Sequence, residues 1–115
     1  MPKRNQTNIS LNINRKDRRI LIVDDEPYNL MALKVVIDAA DTRVKDMIDE
    51  ATNGLEAYEA VKKADQKGFS YGLIFMDCSM PIMDGYQATE KIRKYLKSKY
   101  LQQPMIIACT GHSEA

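Results

Sequence analysis

Short apolar runs alternate along this chain with stretches of helical spacing. Ile20–Val23 is an unbroken apolar run that stops at Asp24-Asp25-Glu26, the pattern of a strand buried on both faces. Pro27 follows where the first turn of a helix tolerates it, with carboxylates just before it to meet the free N–H groups of the turn. Leu30, Leu33, Val36, Ile37 and Ala40 then recur at helical spacing and predict a helix over 27–40. A more polar strand is expected around Met47–Ala51, at a sheet edge. Asn53-Gly54 punctuates it, and a helix over 55–67 turns Ala57, Ala60, Val61 and Ala64 inward. The apolar run Leu73–Met76 ends on Asp77. A helix over 86–99 should bury Ile92 and Leu96 and expose Lys91, Arg93, Lys94 and Lys97, and Met105–Cys109 reads as a last strand before Thr110-Gly111.

Strand and helix in strict alternation give an α/β fold: a doubly wound parallel sheet with helices on both faces, joined by right-handed crossovers. In such sheets ligands gather beyond the carboxyl ends of the strands, where the strand order switches. Asp24 and Asp25, Asp77, and Thr110 each follow or end a predicted strand at that edge. Taken one at a time these residues have plainer readings. Asp24 and Asp25 can be a solvated strand end that caps a helix, Asp77 a polar stop, and Asp84-Gly85 a turn before the third helix.

Taken together, three carboxylates with no Lys or Arg in the same segments repel one another and call for a cation. Oxygen-only ligation suits Mg²⁺, and a carboxylate beside it can attack a phosphoryl group to form an aspartyl phosphate.

At 115 residues the chain has room for one hydrophobic core. No apolar run is long enough for a membrane span. Cys78 and Cys109 form no metal-ligand pattern and read as two buried thiols of a reducing, intracellular (cytoplasmic) compartment. The net charge of +1 is unevenly placed. Residues 1–19 hold six Lys or Arg against one acid, a balance of +5, which leaves −4 for the rest. Residues 1–18 are therefore expected to be a basic tail or linker, and 19–115 the domain. The tail interleaves no aromatic residues, so direct nucleic-acid binding is not expected. Its alternation Ile9, Leu11, Ile13 suits a short extra strand.

The segments ILIVDDEPYNL, DCSMPIMDGYQATEKIR and MIIACTGH resemble the receiver domain of response regulators, most closely the receivers of hybrid histidine kinases and multistep phosphorelays. The resemblance covers the chain from about Arg19 onward and implies the flavodoxin-like receiver fold. It implies that Asp77 accepts a phosphoryl group from a phosphohistidine on a histidine kinase or histidine phosphotransfer protein. It further implies that Asp25, Asp77 and the backbone carbonyl of Ser79 hold Mg²⁺, that Asp24 acts through a bound water, and that Thr110 is the switch hydroxyl. Ser79 and His112 match positions where receivers tune the lifetime of the acyl phosphate.

Receivers have five strands and five helices. Against that pattern the chain stops after the fourth strand, and no residue matches the lysine that ends the fifth. An open apolar edge at Met105–Cys109 is the expected consequence, inviting homotypic pairing or cover by Ile9–Ile13. Two other functions stay open. One is a degenerate receiver that binds partners without phosphorylation. The other is a Mg²⁺-dependent phosphohydrolase, against which stands Ser79 where a second acid is expected.

Overall fold

A computed structural model describes residues 18–80 and 82–109. Their chain order is β1 (Arg18–Val23), α1 (Pro27–Ala40), a 3-10 turn (Thr42–Met47), β2 (Ile48–Ala51), α2 (Gly54–Lys67), β3 (Ser70–Asp77), α3 (Gly85–Ser98) and β4 (Met105–Cys109). The four strands form one parallel sheet in the order β2-β1-β3-β4. The order reverses at β1, so the crevice between the carboxyl ends of β1 and β3 is the switch point of the sheet.

Alternate strand residues feed two separate cores. Leu21, Val23, Ile74 and Met76 pack with Ala57, Val61 and Ala64 of α2 and with Ala88, Ile92 and Leu96 of α3. On the other face Ile20, Ile22 and Leu73 pack with Leu30 of α1 and Val44 of the 3-10 turn. This confirms a doubly wound sheet, with two helices on one face and one on the other.

The single helix explains the main departure from the pattern of its own sequence. Leu30 is buried and Leu33 and Ile37 are partly buried, but Val36 is 62% exposed and Ala40 is exposed as well. Among the described residues nothing flanks α1 on that side, so an apolar stripe too wide for one contact stays partly in water.

Other differences are local. β1 begins at Arg18, which pairs with Ser70 and is buried, so the expected tail loses its last residue to the sheet. Arg93 is only partly exposed, because its Nη1 donates to Gln103 Oε1 (2.9 Å) and to the Pro104 carbonyl (3.0 Å). Cys78 and Cys109 are free thiols, half-buried rather than buried, since each sits where its strand leaves the core. The segment Ile9–Ile13 lies outside the described residues. Among the described residues no helix is long and apolar enough to cross a membrane.

One polar network ties three strands together. Arg19 of β1 grips Asp49 of β2 with two hydrogen bonds of 2.8 Å, and the Tyr71 hydroxyl of β3 donates to the same carboxylate at 2.7 Å. Burial pushes the Asp49 carboxyl up, but the bonds from Arg19 and Tyr71 outweigh it and hold the group below its ordinary value.

Candidate functional site

Asp77 is the last residue of β3, and Asp24 and Asp25 follow β1 directly. Because β1 and β3 are neighbours in register to their ends, with Val23 beside Met76, the three acids converge beyond the switch point. One carboxylate oxygen from each lies within 4.8 Å of the others. Asp77 is buried, Asp24 half-buried and Asp25 exposed, so the cluster opens to solvent on one side.

Each acid is held differently. The Asp24 N–H donates to the Ala51 carbonyl at 3.1 Å. Its Oδ1 accepts from the Glu26 N–H (2.9 Å) and from Asn29 Nδ2 (3.3 Å), so Asp24 serves the start of α1 with one oxygen. Glu26 is the residue that precedes the helix, yet its side chain makes no cap bond. Asn29 is a contact that the sequence pattern does not single out, because its link to Asp24 depends on the turn. Asp77 Oδ1 accepts from the Ser79 N–H at 3.1 Å, which fixes the rotation of the carboxylate.

Burial lifts the Asp77 carboxyl above its ordinary value, the Ser79 N–H opposes this, and the charges of Asp24 and Asp25 add to the rise. Among the described residues none of the three acids is ion-paired with a Lys or Arg.

The loop after Asp77 is pinned at both ends by backbone contacts. The Cys78 N–H donates to the Cys109 carbonyl (3.2 Å), the Gly85 N–H to the Cys78 carbonyl (3.4 Å) and the Gly54 N–H to the Met83 carbonyl (3.0 Å). Asp84-Gly85 is therefore more than a turn. Asp84 caps α3 reciprocally with Gln87, its Oδ1 accepting from the Gln87 N–H at 2.9 Å and Gln87 Oε1 accepting from the Asp84 N–H at 3.1 Å. Gly85 presses against the end of β3, where a Cβ would run into the Asp77 carbonyl oxygen. Gly54 is constrained the same way by the Met83 carbonyl. Both glycines act by close approach, which is invisible in a sequence read without its partners.

Asp24, Asp25 and Asp77, expected at one strand edge, lie together in the fold, and Ser79 meets the cluster through its N–H bond to Asp77. Thr110 and His112 lie outside the described residues. Tyr86, at the start of α3, is 67% exposed beside this loop.

A model of the response regulator receiver domain matches residues 20–115. The chain belongs to the response regulator receiver domain family. It is 38% identical over 108 residues to the histidine kinase CKI1 of Arabidopsis thaliana, an alignment covering 84% of this chain and 9% of that kinase. The chain therefore spans a small part of that relative's length. The crystal structure of the CKI1 receiver domain complexed with Mg²⁺ and BeF3⁻ superposes with a TM-score of 0.65 at 32% identity, covering 92% of this chain and 74% of the other. The co-crystal structure of the Saccharomyces cerevisiae histidine phosphotransfer signaling protein Ypd1 with the receiver domain of its downstream response regulator Ssk1 matches at a TM-score of 0.58 and 26% identity, covering 85% of this chain and 66% of that one.

Proposed function

We propose that this chain is the phosphoacceptor module of a histidine-to-aspartate phosphorelay and that Asp77 is the residue phosphorylated. The observation that carries this reading is the convergence of Asp24, Asp25 and Asp77 within 4.8 Å at the switch point of the sheet. The donor set supports a resident Mg²⁺. It is all oxygen, it has no Lys or Arg partner among the described residues, and burial, with a smaller contribution from the like charges of Asp24 and Asp25, raises the Asp77 carboxyl. Asp25, Asp77 and the Ser79 carbonyl would hold the ion, with Asp24 acting through water. Bound there, Mg²⁺ would offset negative charge on the transferring phosphoryl oxygens.

The remaining chemistry belongs to the chain. The Ser79 N–H keeps one Asp77 oxygen occupied and leaves the other as the nucleophile. That oxygen attacks the phosphorus of a phosphohistidine protonated on its other ring nitrogen, the P–N bond breaks with its electron pair passing to the ring, and neutral imidazole leaves while an acyl phosphate forms on Asp77. Thr110 is assigned as the hydroxyl that meets the phosphoryl group and turns the change of charge into a change of surface. The partners in this reading are a histidine kinase or a histidine phosphotransfer protein, in line with what the Ssk1 receiver binds.

A second reading is a receiver that binds partners without phosphorylation. Intact mass after incubation with Mg²⁺ and acetyl phosphate separates the two. The phosphoacceptor gains one phosphoryl group, and Asp77→Asn gains none. A folded chain that gains nothing assigns the protein to the second reading. Release of phosphate from a generic phosphomonoester would instead assign it to the hydrolases.

A further inference from the structure

Asp24 offers one carboxylate oxygen to the acid cluster, and its Oδ1 is held from two directions. The Glu26 N–H donates to Oδ1 at 2.9 Å and Asn29 Nδ2 donates to it at 3.3 Å. Among the described residues Oδ2 meets no donor. The two ties are of different kinds. The Glu26 N–H is backbone and would be present with any residue but proline at that position. The Asn29 amide is a side chain of the first turn of α1, and only its NH2 end can face a carboxylate. It stands on a firm base, because the Asn29 N–H donates to the Glu26 carbonyl at 3.0 Å and the next residue, Leu30, is buried beneath the helix.

A carboxylate turns about its last bond in a broad, two-fold well, so one donor fixes a point and leaves the plane free to rock. A second donor, carried by the helix, removes that freedom. Helix stability does not account for an asparagine here. Residue 29 is exposed, where alanine is the better helix former, and the partner of the Asn29 amide is Asp24. Charge accounts for an amide in place of an ammonium group. A lysine at this position would offset the negative charge that attracts a cation. The neutral amide orients the carboxylate and leaves its charge intact.

We infer that Asn29 is a positioning residue of the metal site: by donating to Asp24 Oδ1 it fixes the plane of that carboxylate and keeps Oδ2 ready to accept from a water of Mg²⁺. This inference rests on reading the acid cluster as a Mg²⁺ site. Mg²⁺ titrations of the ¹⁵N-labelled 115-residue protein, followed by its amide resonances, test it beside thermal melts in EDTA. Asn29→Ala should weaken Mg²⁺ binding about three- to ten-fold, less than the loss of a typical outer-shell partner because the Glu26 N–H remains. Its Tm in EDTA should stay within about 3 °C of the parent, since alanine suits an exposed helical turn. In an Asp24→Ala background the same change should alter the affinity by less than about two-fold, because Asn29 acts through Asp24. Asn29→Ala binding Mg²⁺ as tightly as the parent overturns the inference, as does a similar loss in both backgrounds. A loss of affinity joined to a larger fall in Tm assigns Asn29 to the fold of α1 and also overturns it. A parent whose resonances do not respond to Mg²⁺ overturns the metal reading itself, a failure distinct from a parent and an Asn29→Ala variant that bind alike.

Discussion

Replacing Asp77 by asparagine removes one negative charge from a cluster that, without a cation, must hold three. Two unit charges 4.8 Å apart repel by about 1 kcal/mol in water and by about 3.5 kcal/mol at an effective dielectric of 20. Asp25 is exposed, so its share lies near the lower figure, and half-buried Asp24 falls between the two. Asparagine keeps an oxygen for the Ser79 N–H but forfeits the charge-assisted part of that bond, about 1 kcal/mol. The balance favours the variant by about 1 to 3 kcal/mol, or at least about 4 °C in Tm for a domain of this size.

The direction agrees with burial and like charge lifting the Asp77 carboxyl above its ordinary value, because a raised carboxyl is one whose ionised form the fold disfavours. Thermal melts in EDTA at neutral pH provide the assay, repeated with millimolar Mg²⁺. In EDTA the variant should melt higher. In Mg²⁺ the parent should gain more than the variant and close the gap, since a cation relieves a repulsion that Asp77→Asn has already reduced. A variant that melts lower than the parent in EDTA, or an equal Mg²⁺ gain in both proteins, would refute the electrostatic account of the site.

Two further outcomes follow from contacts outside the carboxylate cluster. Asp49→Asn should cost about 1 to 2 kcal/mol, discounted for the partial exposure of the Arg19–Asp49 pair, because it breaks the grip joining β1, β2 and β3. The folded-state value of Asp49 lies below its ordinary 3.8, so this stabilisation is present above that pH and is lost as pH falls through the lowered value. Urea titrations should therefore show a constant difference from neutral pH to about 4 that shrinks below it; an equal difference in strong acid would exclude an ionic origin. Gly85→Ala should cost about 2 to 3 kcal/mol by the same titration. Its Cβ would meet the Asp77 carbonyl oxygen and lie 2.9 Å from Cys78 Cα, so the end of β3 must move. Phosphoryl uptake from acetyl phosphate should fall with it, and a variant within about 0.5 kcal/mol of the parent would show that α3 can simply retreat.

The sequence by itself determined the alternation of elements, their order and the edge at which the acids gather. Those features rest on local rules: apolar runs flanked by polar stops, helical spacing, and a carboxylate at the end of a buried strand. Receiver-like spacing between Asp77 and Asp84-Gly85 was legible for the same reason, as a fixed offset along one chain. Which helix would be left half-covered was not legible, because Val36 repeats at the same spacing as Ile37 and only the lack of a neighbour among the described residues exposes it. The roles of Asn29, Gly54 and Gly85 were hidden too, since each is defined by an atom brought in from a neighbouring segment or turn: Asp24, the Met83 carbonyl and the Asp77 carbonyl. The grip of Arg19 and Tyr71 on Asp49 spans three strands and could be read only once their order was known. Periodicity records which face a residue presents. What waits on that face is a matter of distance, and distance between remote segments exists only in the folded chain.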